Sequence, residues 1–347
     1  MATVKLDEAR LKKTLNMDEA EFIKRITAIR AARQPQSDLL PRRLPIVPSQ
    51  KAAAKLLEGA FMKGGLDVRQ YESLLTKAAS ERRELLAQRV KTASNPSAAQ
   101  ALRRAVAEER RKAFTQFATP YYYTTVYFDE PFWIWMFPFD LGVLRNMTAS
   151  ELRSSVQFDV LANSGSAIYQ FVFYFYWTNN NDYYAVLNAD TSAHFQGSCD
   201  ISADTGFFSG SQVVADLNVS LDVIRWLGWG NDPGTGQPLD NTPYPQTGGT
   251  APVASLYAQG GSFLGSFGTD QKIFTGYRPS DWFFPQVRTI VVPPGASVMF
   301  EVTVAASYDF ESGGGGVGDA VSLEFNSPSG DSVMCEYLDL TLLTPAS

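Results

Sequence analysis

The amino-acid sequence predicts an α+β multidomain fold: a helical N-terminal region followed by an antiparallel β-sandwich of jelly-roll type. The apolar spacing changes at about residue 118, from every third or fourth position to every second. Charge divides at nearly the same place. Residues 1–115 hold 24 Lys and Arg against 13 Asp and Glu, whereas residues 116–347 hold 6 against 23. Segments so unlike in charge are expected to be separate structural units. The third observation is the stretch 167–177, AIYQFVFYFYW, whose rings and β-branched side chains suit a pleated surface and not a helix. These observations place a basic helical arm at 1–116 and an acidic, aromatic-rich sandwich at 117–347.

In the arm, Asn16 followed by Glu19 predicts a capping box. The helix behind it carries Ala20, Phe22, Ile23, Ile26 and Ile29. Pro35, Pro41, Pro45 and Pro48 mark an extended linker over 34–48. Ser49 and Asp67 are expected caps for two further helices, and Asn95-Pro96 breaks the second of them. Residues 98–117 form the last helix, with Arg103, Arg104, Arg110 and Arg111 on its surface. The apolar stripe of these helices is thin and alanine-rich, so it requires a partner: the β domain or the same helices of another copy.

In the sandwich, strands are expected at 121–128, 156–160, 167–177, 183–187 and 213–226. Others follow near 272–277, 287–292, 298–304, 321–325 and 333–343. Residues 228–262 are rich in Gly, Pro, Asn, Thr and Gln and read as one long excursion. In 167–177, Tyr169, Phe171, Phe173, Phe175 and Trp177 form one face that must be buried. The opposite face, Ile168 to Tyr176, ends in phenols and suits half-wet surroundings or a second polar-tipped surface.

Residues with chemical potential are sparse. The single histidine, His194, lies in TSAHFQG without a neighbouring nucleophile motif, and is read as a loop residue. Asp182, Asp200, Asp204, Asp232 and Asp240 do not reproduce the spacing of a calcium loop. Neither Gly260–Gly265 nor Gly313–Gly316 carries the Lys-Ser/Thr pair of a phosphate loop. No catalytic residue, metal site or cofactor is therefore assigned. Cys199 and Cys335 are expected to be free buried thiols.

Two aromatic groups remain. Trp226 and Trp229, beside Asn231 and Asp232, offer rings next to amide and carboxylate groups, the make-up of a sugar site. The segment around Phe132, Trp133, Trp135 and Phe137 is read as a contact surface for assembly, a membrane interface or the arm. The N-terminus, MATVKLDEARLKK, lacks the apolar core of a signal peptide, and no apolar run reaches transmembrane length. The compartment stays open.

The leading expectation is a non-catalytic, self-assembling structural protein whose arm makes a homo-oligomer of the sandwich. A basic arm before a β-sandwich is also the layout of many virion-shell proteins, and a surface-layer role is equally open; both are analogies of architecture alone. The alternatives are a carbohydrate-binding module or adhesin, and a membrane-docking or pore-forming protein. A carboxylate-based glycoside hydrolase or lyase ranks below these. Nucleic acid would have to meet the arm, since the sandwich is acidic.

Overall fold

The structure is a computed structural model. It describes residues 8–33, 122–137, 144–150, 154–163, 165–182, 184–203, 205–206, 209–244, 250–260, 270–276, 282–283, 285–312, 319–326 and 331–344. Two helices come first, α1 (Glu8–Leu15) and α2 (Glu19–Arg33). The helices expected at 49–62, 67–90 and 98–117 lie outside the described residues.

Strands, numbered in chain order, form two sheets. The first runs β1 (Tyr122–Phe128), β16 (Ser332–Thr344), β4 (Ser155–Ala162), β15 (Ala320–Phe325), β6 (Ala185–Ala203) and β11 (Asp270–Gly276). Strand β3 (Leu144–Ser150) adds to β4, while β12 (Trp282–Phe283) and β13 (Gln286–Val292) add to β6. The second sheet runs β10 (Thr250–Gln259), β8 (Ser209–Leu227), β14 (Ser297–Ser312), β5 (Ser166–Thr178) and β2 (Trp133–Phe137). Two short strands, β7 (Thr205–Gly206) and β9 (Thr242–Pro243), flank β8. The strand pairings described are antiparallel.

Alternation drives the two sheets together. On β5, Tyr169, Phe171, Phe173 and Phe175 are buried in one core with Val213 to Val223 of β8 and Val298 to Val304 of β14. The first sheet supplies Val156, Phe158, Val160, Leu187, Ile201, Leu323 and Leu340 to the same core. Phe158 of one sheet meets Phe171 of the other at 4.4 Å, and Phe128 meets Phe175 at 6.2 Å. Burying each such side chain contributes about 1.5–3 kcal/mol.

At Gly197, β6 changes neighbours. Up to Gln196 it pairs with β16, and from Ser198 it pairs with β15. Its φ of 147° is one that side chains avoid, and a Cβ there would strike the Glu324 carbonyl and approach Phe325 Cδ1 to 2.6 Å. Only glycine fits this crossing.

Several expectations need correction. Strand β6 extends through TSAHFQGSCD, so His194 is a strand residue, 3% exposed and opposite Met334, and not a loop residue. Thr191, Ser192, Ala193, Gly197 and Ser198 around it are small and carry little period-2 signal, although the tertiary structure buries them. Asp200 is likewise on β6, where its carboxylate accepts from Gln271 Nε2 at 2.9 Å. The excursion at 228–262 contains β10, paired along β8, and the strand β3 at 144–150 was not expected. Finally, Asp18 and not Asn16 caps α2: its Oδ1 accepts the Glu21 backbone N–H at 2.8 Å. Asn16, at φ 53°, terminates α1 with its N–H donated to the Lys12 carbonyl at 2.9 Å.

Candidate functional site

The second face of the second sheet is where the arm and the sandwich meet. Trp133 of β2, Val172 and Tyr174 of β5, Ile224 and Trp226 of β8 and Met299 of β14 share this outer face. They form one buried cluster with Leu11 and Leu15 of α1 and Phe22, Ile26 and Ile29 of α2. The spacing of Phe22, Ile26 and Ile29 puts them on one side of α2, as the 3.6-residue period requires. Structurally α1 and α2 form a third layer, laid on the sheet.

Phe22 is the centre of this seat. Its ring lies 6.0 Å from Phe132, 5.8 Å from Trp133, 5.3 Å from Tyr174 and 6.2 Å from Trp226. The contacts with Phe132, Trp133 and Tyr174 are edge-to-face, the arrangement that ring quadrupoles favour. The Arg25 guanidinium stands 5.8 Å above the Trp226 ring.

Beside the apolar cluster lies a buried polar group. Arg30 Nη1 donates to Gln170 Oε1 at 2.8 Å and Nη2 to Thr303 Oγ1 at 3.4 Å. Arg30 Nε lies 3.6 Å from Glu301 Oε1, and Glu301, in the middle of β14, is fully buried. Burial works against the Arg30 charge, but Tyr174, Glu301 and Asp222 outweigh it and raise its pKa. Burial and then the Glu301 carboxylate hold the Tyr174 phenol well above its usual value. At the other end of the arm, Arg10 Nη2 reaches Glu130 Oε2 at 2.8 Å. Two cations of the basic arm, Arg10 and Arg30, thus pair with carboxylates of the acidic sandwich.

The residues singled out from sequence fall into distinct places. Trp226 and Trp133 are 0% exposed beneath the arm, so neither ring is presented to a sugar or a membrane while the arm is docked. Phe132 is buried in the same seat, and Trp135 packs against it half-buried. Phe137 ends β2 opposite Gln170. Arg103, Arg104, Arg110 and Arg111 lie outside the described residues.

Trp229 is elsewhere, at the end of the sandwich. Its Nε1 donates to the Ser297 carbonyl at 2.7 Å, and its backbone N–H donates to Asp240 Oδ1 at 2.8 Å. The ring meets Tyr244 at 5.9 Å, and the Arg225 guanidinium lies 5.9 Å from one ring and 5.7 Å from the other. Asn231 is exposed and bridges to Pro238, while Asp232 Oδ1 accepts from Gly234 N at 2.7 Å in a turn. The four residues proposed as a sugar site are therefore split between two locations, and three of them fasten a plug and a turn. Cys199 and Cys335 are free and buried, and burial raises both thiols, Cys335 to about 12. Among the described residues no group of three or more His, Cys, Asp or Glu could hold a metal ion, and no helix is long and apolar enough to cross a membrane.

What sequence reasoning missed is the pairing of Arg30 with Glu301 and of Phe22 with Trp226. The apolar stripe of α2 and the phenol-tipped face of β5 each signalled a missing partner. Nothing local signalled that they are partners of each other.

No family model matches the chain, and no curated protein matches it. Two solved structures are similar to it at low level. One is TmCBM61 in complex with beta-1,4-galactotriose, 10% identical, covering 64% of this chain and 88% of that one at a TM-score of 0.19. The other is infectious bursal disease virus, Gx strain, 12% identical, covering 65% of this chain and 40% of that one at a TM-score of 0.17. Likenesses at these scores assign neither fold nor function.

Proposed function

We propose that this chain is a non-catalytic structural protein whose N-terminal arm holds copies of an acidic β-sandwich in an assembly. The observation that carries this reading is the seat itself. A basic helical segment is laid on the outer face of a β-sheet, across a mostly apolar surface with an enclosed Arg–Glu pair, although 88 residues of chain separate it from the first strand. The side chains that suggested chemistry support the same reading, because the fold employs them in packing: His194 within β6, Asp200 held by Gln271, Asp232 in a turn. We retain the jelly roll as the finer reading of the two-sheet fold. The opposite charges of arm and sandwich would further draw copies together, more strongly at low salt.

The test is native mass, by light scattering or mass photometry, on the full chain and on a chain beginning at Gln116. A discrete oligomer that collapses when residues 1–115 are removed is the expected result. Monomers in both cases, at high concentration and low salt, would overturn the reading.

A further inference from the structure

We infer that the α1–α2 segment is exchanged between copies, each arm seating on the Trp133–Tyr174–Trp226 face of a neighbouring sandwich. This rests on the assembly reading above and names its partner: a second copy of this chain, held through this face.

The first support is chain length. Residues 34–121, 88 in number, separate the end of α2 from the start of β1. Even wound entirely as α-helix, a chain of that length reaches about 130 Å at 1.5 Å per residue. The 19-residue strand β6 spans only about 60 Å at 3.3 Å per residue. A tether of that contour length is long enough to let an arm reach a neighbouring sandwich. The effective concentration it imposes falls with length, so its own seat gains little advantage over one held close by in an assembly.

The second support is that every arm–seat contact is the same whichever copy supplies it. Phe22 among its four rings, Arg30 with Gln170, Thr303 and Glu301, and Arg10 with Glu130 are all contacts between the arm and the sandwich. Transferring the arm preserves each of them, which is the condition for a swapped element.

The third is that the docked state leaves polar groups dry. The indole N–H groups of Trp133 and Trp226 are buried without a hydrogen-bond partner among the described residues. Lifting the arm would let water reach them, which lowers the cost of release. A seat of this kind holds an arm and still lets it change hosts.

The experiment uses the full chain carrying one new thiol at a time. Arg10 and Glu130 are partly exposed and their side chains meet at 2.8 Å, so Arg10→Cys and Glu130→Cys place two reactive thiols across the arm–sandwich contact. Cys199 and Cys335 are buried, which keeps them from a short bismaleimide. The two single variants are co-expressed with distinguishable tags, cross-linked and run on a denaturing gel, beside the double variant. Exchange predicts a doubly tagged, cross-linked dimer several-fold above the level given by either variant alone. If native mass shows an oligomer, the double variant links only within one chain and the mixture gives no mixed dimer, then the exchange is wrong and assembly stands. If the native mass is monomeric throughout, both are wrong.

Discussion

Truncating Phe22 to alanine should release the arm while leaving the sandwich folded. The ring is fully buried and touches four other rings, at centroid distances of 5.3 to 6.2 Å. Phe→Ala changes at packed sites cost about 3–5 kcal/mol, because contacts are lost and the cavity closes only in part. Nearly all of that falls on the arm–sheet equilibrium, since Phe22 belongs to the arm's cluster and not to the core between the sheets. At about 1.4 kcal/mol per factor of ten, docking weakens by roughly a hundredfold to several thousandfold. Trp133 and Trp226 report on it directly, because both are dry only under the docked arm. Phe22→Ala should shift tryptophan emission to longer wavelength, increase acrylamide quenching and open residues 8–33 to protease. Adding Trp226→Phe should remove part of the emission change. Unchanged emission, quenching and proteolysis would show that this ring cluster is not what holds the arm.

The remaining predictions concern buried charge, the strand crossing and alkaline pH. Glu301→Gln leaves the Arg30 charge buried without its carboxylate and should destabilise the docked state by about 3–5 kcal/mol. Combining it with Arg30→Met should recover most of the loss, and urea titrations of the three variants measure the coupling. Gly197→Ala forces a Cβ into β15 at a disfavoured φ and should cost about 2–6 kcal/mol, read as a lowered Tm; an unchanged Tm would contradict the close approach at the crossing. Burial raises the Cys335 pKa to about 12, so the unfolded chain releases this proton first as pH rises. Its contribution is complete below the ordinary thiol value of about 8.5 and is lost as pH climbs towards 12. Stability in urea should therefore fall between pH 8 and pH 11, and Ellman's reagent should reach neither cysteine at pH 8 until the protein is unfolded.

Legibility followed the physics of each element. Strands β5, β8 and β14 were readable because each has one face in the core between the sheets, and period-2 burial is written directly into residues such as Phe171, Leu217 and Val302. Helix α2 was readable from Phe22, Ile26 and Ile29, although its cap is Asp18, two residues after the expected Asn16. Strand β6 was hidden because Ala189, Ser192, Ala193 and Ser198 are small, and a small residue shows its burial only in three dimensions. Strand β10 was hidden for another reason: among the described residues it pairs only with β8 in its sheet, and residues such as Ser255, Tyr257 and Gln259 are exposed and polar.

The candidate site shows the same division more sharply. Trp226 and Trp229 are three positions apart and look like one aromatic pair, yet one is roofed by α2 and the other plugs the sandwich end. By itself the sequence determined that β5 has two unlike faces, that α2 has an apolar stripe, and that arm and sandwich carry opposite charge. Those properties are periodic or additive, so neighbours along the chain suffice to express them. Only the tertiary structure decided that the stripe covers that face, with Arg30 meeting Gln170 across 140 residues and Arg10 meeting Glu130 across 120. A contact between distant segments depends on shape and charge matching in space, and no local pattern in either segment encodes its partner.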